Sequence, residues 1–338
     1  MRARPALTPR RLWLWLAAGA VFAVGAAVLA LFLGMPELDL GTALSDASSW
    51  QYAALHKLQL PRISQGLVVG ATLAASGAAL QGLLRNPLAD PFILGVSGGA
   101  ALGSAAVTLV GFGTALVAPL GGFLGAMGAL LVVTALATEA GRIAPLRMLL
   151  IGVVFNALAG AGLMVLQALA DPGAVQLTLM RLMGSVGADP SEPLLLPILT
   201  VASGVGLVAM LLSARGLNLL ALGDDTARSL GVSPDRLRLV LFVVISVAVG
   251  ATVAVTGLIG FVGLIVPHAV RLVVGPDHRL VLPLSALVGA GFVVVADASV
   301  SALAPALGTE LPVGVVTALV GGPLFLALLR HRPTRVAE

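Results

Sequence analysis

Apolar positions along this chain do not alternate with polar ones. They gather into long runs, broken at intervals by short clusters of Pro, Gly and charge. A hydrocarbon core of about 30 Å needs about 20 helical residues to cross it. The breaks leave ten candidate spans: 12–34, 58–84, 93–110, 114–138, 147–170, 192–213, 236–256, 258–273, 280–304 and 312–330. The stretch 236–273 is nearly continuous and too long for one crossing, and "GLIGFVG" (257–263) supplies a flexible turn to divide it. Small residues recur within the runs, as in "GLVVG" (66–70), "GAALG" (99–103) and "GFLG" (122–125), a spacing that lets helix backbones approach closely.

Composition agrees with this pattern. The 338 residues are 59% hydrophobic and 10% charged, with mean hydropathy +1.07, whereas soluble domains carry about a quarter charged residues. An all-α polytopic membrane protein follows, with one transmembrane domain over 12–330 between short tails, 1–11 and 331–338. The N-terminal apolar stretch is longer than the roughly 7–15 residues of a signal-peptide core and has no small-residue cleavage site after it, so it reads as the first span.

Basic residues orient the spans. With the N-terminus inside, the inner segments hold sixteen of the nineteen Lys and Arg, and the outer segments hold only Lys57, Arg62 and Arg181. The outer segments also carry Glu37, Asp39, Asp46, Asp171, Asp189, Glu192 and Glu310. Both tails are therefore expected in the cytoplasm, and "RNPLADP" (85–91) becomes an inner-face turn whose two prolines cannot continue a helix. The longest inner connection, 214–235, has structure of its own. Asp224 is a candidate N-cap, "DTARSL" a short helix, and Gly231 its C′ residue; Ser233 and Pro234 open the next span. A capped helix there suits docking to a cytoplasmic partner.

Several chemistries are excluded or disfavoured. Without cysteine there is no disulfide or thiolate chemistry, and the four scattered histidines match no metal-ligand spacing. A phosphate-binding loop needs G-x-x-x-x-G-K-[ST], and the one lysine, Lys57, has no glycine near it, so energy from ATP must enter through another subunit. "GVSGG" (95–99) fits the hydrolase serine turn, but that turn needs a strand before it, and here Ser97 opens a small-residue membrane helix. An ion-coupled carrier, the alternative transport class, usually buries acids, and here Asp297 is the one acid in the interior of a candidate span.

Four blocks in order are similar to the iron-chelate, haem and cobalamin permeases of binding-protein-dependent ABC importers. They are 60–103 (from "LPRISQG" to "GGAALG"), "LGDDTARSLGVSPDRLRLVLF" (222–242), "GLIGFVGLIVPHAVRLVVGPDHRLVLP" (257–283) and "ELPVGVVTALVGGPLF" (310–325). The resemblance implies a type II ABC importer permease of ten helices in the bacterial inner membrane. It further implies a homodimer without ATPase or cofactor of its own, in contact with membrane lipid but with no nucleic acid. Two cytoplasmic ATPase subunits would hold the ATP and Mg, and a periplasmic or lipid-anchored binding protein would deliver a metal chelate, with an iron–siderophore or haem favoured and cobalamin possible.

The family's site roles carry over by position. Coupling falls on Gly223, Asp224, Asp225, Thr226, Ala227, Arg228, Ser229, Leu230 and Gly231. The inner gate falls on Asn86 and Leu88, with Ala144 and Pro145 where some members have polar residues. The pathway falls on Asn156, Gly160, Leu163, Met164 and Gln167, and docking of the binding protein on Arg62 with Lys57 beside it.

Overall fold

The computed structural model describes residues 8–35, 39–112, 116–139, 142–187 and 193–330. The tail segments 1–7 and 331–338 and the expected outer acids Glu37, Asp189 and Glu192 lie outside the described residues. In chain order the helices are α1 (Pro9–Gly34), α2 (Leu40–Ser45), α3 (Trp50–Ala54), α4 (Leu60–Leu83), α5 (Val96–Val107), α6 (Val117–Ala137), α7 (Pro145–Leu169) and α8 (Pro172–Leu182). Then come α9 (Leu195–Leu212), α10 (Ala214–Leu220), α11 (Asp224–Ser229), α12 (Pro234–Thr256), α13 (Val262–Val274), α14 (His278–Leu307) and α15 (Val313–Arg330). A π-helical turn, Leu55–Gln59, joins α3 to α4, and a 3₁₀ turn, Pro91–Leu94, leads into α5. The strands β1 (Thr138–Glu139) and β2 (Arg142–Ile143) form a two-residue antiparallel pair before α7.

Seven helical segments are long and apolar enough to cross a membrane, and three shorter apolar helices, 96–111, 262–274 and 313–327, accompany them. These ten fall on the ten candidate runs, and the chain is a multi-pass helical membrane protein. The boundary at Gly257 is sharper than the sequence suggests. Residues 257–261 are not helical, and α13 begins only at Val262. Its 13 residues rise about 20 Å, too little to cross alone. Non-helical backbone at this depth needs hydrogen-bond partners from protein, and the end of α8 with the residues just after it supplies them. Leu258 N–H donates to the Leu182 carbonyl at 3.2 Å, and Ser185 N–H to that of Thr256 at 2.8 Å. By hydropathy alone, 171–191 is a plain outer connection. Its helix α8 escapes a hydropathy criterion because eleven residues are too few for a span, and its role comes from contacts distant in sequence.

Helix α4 is the hub, buried over most of its length from Ile63 to Leu83 and packed against α9, α12, α13 and α14. Lipid tails give apolar side chains no reason to leave them for each other, so association depends on close packing. The glycine stripes do this work. Gly99 and Gly103 of α5 face Gly125 and Gly121 of α6 so tightly that a Cβ on any of the four would overlap atoms of the other helix. By contrast, Gly128, one turn further along α6, has open space beside it.

Overpacking costs about 1–3 kcal/mol. Gly103→Leu is therefore expected to destabilise the purified protein by at least that amount, while Gly128→Leu stays within about 0.5 kcal/mol of the parent. Thermal unfolding in detergent compares the two.

Candidate gate and coupling site

Helix α4 ends in a turn that the sequence marks with two prolines. Leu84 is its C-cap, and the Arg85 and Asn86 amides return to the carbonyls of Gly82 (3.4 Å) and Gln81 (3.2 Å). This paired closure places the residue after the cap in the left-handed region, where glycine is usual; here it is Arg85, with φ +49°. Asn86 then folds the chain over Pro87. Its side-chain oxygen accepts from the Leu88 amide at 2.9 Å, and its carbonyl from the Ala89 amide at 3.1 Å. Leu88 stands at the tip, 42% exposed.

Asp90 ends the turn inside the protein. One carboxylate oxygen accepts from the Phe92 amide at 2.8 Å, and the other is buried with no hydrogen-bond partner. Burial without a countercharge pushes this carboxyl up to about 6.

On the same face lies the 214–235 connection, built as two helices rather than one. After the cap at Ser213 the chain continues into α10, whose Ala214, Leu217 and Leu220 are buried. Asn218 pins α10 to the start of α14: its Nδ2 donates to Asp277 at 2.7 Å, and its oxygen accepts from the His278 amide at 2.9 Å. Helix α11 follows. It buries Ala227 and closes with Gly231 (φ +84°), whose amide bonds the Arg228 carbonyl at 3.0 Å.

Asp224, expected as the N-cap, is not one. Gly223 holds that place with φ +114°, and Asp224 is the first helical residue. Two arginines account for the change. Arg238 of α12 clasps both carboxylate oxygens at 2.8 Å, and Arg85 of the turn after α4 bonds one of them. The Arg238 hydrogen bonds above all hold the Asp224 carboxyl below the usual carboxylate range. Arg228 ties α11 to itself and to α12, reaching Asp225 at 3.0 Å and Asp235 at 3.4 Å. Ser233 and Pro234 do open α12, although the serine side chain makes no capping bond.

The second expected gate segment is Ala144, N-cap of α7 beside the β1–β2 pair, with Pro145 at the first helical position. Of the five pathway positions, Asn156, Gly160 and Leu163 line one cleft of about 500 Å³, with Ile93, Ser97 and Leu258 across it. Met164 and Gln167 are not on that lining, and Met164 is 71% exposed. A step of 100° per residue puts Met164 about 80° from the Asn156 direction. Asn156 is also no free wall residue. Its Nδ2 donates to the Phe92 carbonyl at 2.8 Å, and its oxygen accepts from the Gly98 amide at 3.0 Å, so it caps α5 from a neighbouring helix. The Ser97 hydroxyl donates to the same Phe92 carbonyl at 3.0 Å, a packing bond as expected of it.

At the opposite face Arg62, expected at the docking surface, is paired with Asp297 of α14 through bonds of 2.8 and 3.0 Å, and Glu310 lies at 3.7 Å. The reason is Asp297 itself. A carboxylate buried in a membrane helix demands a countercharge. Lys57 is exposed.

Residues 14–331 match the model of the FecCD transport family. The chain belongs to the FecCD transport family. It is 47% identical over 282 residues to the cobalamin import system permease protein of Halobacterium salinarum, a match covering 82% of this chain and 73% of that one. It is 42% identical over 289 residues to the hemin transport system permease protein of Yersinia pestis, covering 82% and 84%. Among solved structures it is similar to an inward-facing ABC transporter described as of the metal-chelate type, with TM-score 0.78, 31% identity and coverage of 92% and 99%. The fold is that of the type II ABC importer permeases.

The sequence reading of this FecCD member missed Arg85 and Arg238. The one available signal was an arginine directly after a helix end where glycine is usual, and that signal does not name its partner.

The Asp90 environment makes a pH prediction. A carboxyl raised by burial binds its proton more tightly when folded. Stability is therefore highest below the ordinary carboxylate pKa of 3.8 and falls as pH rises through about 6. That shift corresponds to about 3 kcal/mol. Asp90→Asn keeps an acceptor for the Phe92 amide, so it should raise the unfolding temperature at pH 7 with little gain near pH 4. Equal effects at both pH values would contradict this.

Proposed function

We propose that this chain is the membrane-spanning permease subunit of an ABC importer, which moves a metal chelate into the cytoplasm on ATP hydrolysed by a partner. Family membership over almost the whole chain carries the reading. Two copies form a homodimer around a pathway bordered by the α5–α7 cleft. Each copy offers α11 to a cleft in one of two ATPase subunits, and a binding protein delivers substrate at the opposite face, where Lys57 is available to meet its acids.

The chelate is a haem, a cobalamin or an iron–siderophore. Permeases for hemin, cobalamin and iron chelatin are all among the relatives, so a preference for iron over cobalamin has neither a residue nor a relative behind it. The cleft carries no ligand set for a metal ion, which suits a cargo recognised by an external protein.

In this mechanism Leu88 plugs the inner end of the pathway, with Asn86 holding its backbone. Burying one leucine side chain stabilises by about 1.5–3 kcal/mol, a barrier that movement of a partner can overcome. Purified chain alone should hydrolyse no ATP. Liposomes containing it with its ATPase subunit should take up haemin, cyanocobalamin or a ferric siderophore only with ATP inside and the binding protein outside. Leu88→Gly should make those liposomes leak preloaded substrate without ATP. Uptake that survives ATP depletion and collapses with an ionophore would refute the proposal in favour of an ion-coupled carrier.

A further inference from the structure

Helices α4 and α11 end in the same hydrogen-bonded closure. At the end of α11 the Val232 and Gly231 amides return to Ala227 (2.9 Å) and Arg228 (3.0 Å). At the end of α4 the Asn86 and Arg85 amides return to Gln81 and Gly82. One copy of the motif has glycine at its left-handed position, and the other has arginine at φ +49°. An L side chain is disfavoured there because its Cβ crowds the backbone. Such strain persists where the side chain supplies something glycine lacks.

What Arg85 supplies is a bond to Asp224, the first residue of α11. We propose that Asp224 is the joint through which movement of α11 reaches the gate turn, and that Arg85 is a positioning residue held in a strained backbone to make that joint. This rests on reading α11 as the coupling helix.

The two arginines on Asp224 differ in a way that suits a joint. Arg238 has a side chain only 5% exposed and grips both oxygens, so it fixes Asp224 to the base of α12. Its second acid, Asp235, is further off at 3.7 Å, leaving Asp224 as its chief countercharge. Arg85 is 40% exposed and touches one oxygen. Solvent screens that contact, and it can break and reform without leaving a buried charge unpaired. The buried bond is the anchor, and the exposed one engages or releases the gate.

Beyond Arg85 the turn is stiff. Asn86 closes it with the Leu88 and Ala89 bonds, so a pull on the arginine displaces Leu88 rather than dissipating in loose chain.

Glycine is the informative replacement, because it relieves the strain and removes the joint together. In liposomes with the ATPase and binding-protein subunits, Arg85→Gly is expected to cut substrate taken up per ATP hydrolysed at least tenfold. The unfolding temperature should stay level or rise, and Arg85→Lys should recover at least a third of the ratio. A spin label at Ser229→Cys should still respond to ATP in the glycine variant, while one at Leu88→Cys no longer does. Uptake per ATP within twofold of the parent would overturn the joint. A fall in uptake that tracks a fall in unfolding temperature would also overturn it, assigning Arg85 to the fold alone. Parent liposomes without ATP-driven uptake would instead refute the coupling reading on which the joint rests.

Discussion

Acyl chains offer no hydrogen-bond partner and no countercharge, so every amide and every charge that enters the bilayer must be satisfied within the protein. Most of the molecule meets this demand by being helical. The instructive places are those where helix is interrupted. Between Thr256 and Val262 the helix is broken, and bonds to Leu182 at the end of α8 and from Ser185 just after it hold the segment. Gly184, between those two residues, also accepts from the Gly314 amide at 3.1 Å, so one connection serves two membrane elements. Asp297 satisfies the demand with Arg62, 235 residues away in the chain and one helix away in space.

The same solvent removes the hydrophobic drive that would hold helices together in water. Contact is won instead by backbones meeting at glycine, as between α5 and α6, and between α4 and α14, where Gly70 and Gly289 leave no room for a Cβ on either. Packing of this kind is stiff, because there are few flexible side chains to rearrange. A rigid hub concentrates any motion at its ends. The 85–91 turn is the end of α4 itself, and its neighbour α11 buries little besides Ala227. In the proposed transport cycle these two short elements are therefore the natural moving parts, while α10 stays pinned to α14 through Asn218.

Charge is distributed to match. On the basic face, Asp224, Asp225 and Asp235 each meet an arginine, and the most buried of these arginines, Arg238, has the most complete pair. On the opposite face Arg62 is paired with an internal acid, while Lys57 stands exposed.

How much of this was legible beforehand follows from the range of each interaction. The sequence by itself determined the number of apolar segments, the break near Gly257, the basic asymmetry, the turn at 85–91 and the capped helix ending at Gly231. Each of these is written in residues adjacent along the chain and acts through local propensity or transfer from water to lipid. It also carried four family blocks, which the match over residues 14–331 bears out. Tertiary structure alone decided that Asp224 abandons its cap for two arginines, that Arg62 is already paired, that Asn156 serves α5 rather than standing free, and that α8 supports a broken crossing. All four depend on polar groups far apart in the chain competing for one partner in a medium that supplies none. Which acid meets which arginine is a question of three-dimensional proximity that no periodicity encodes.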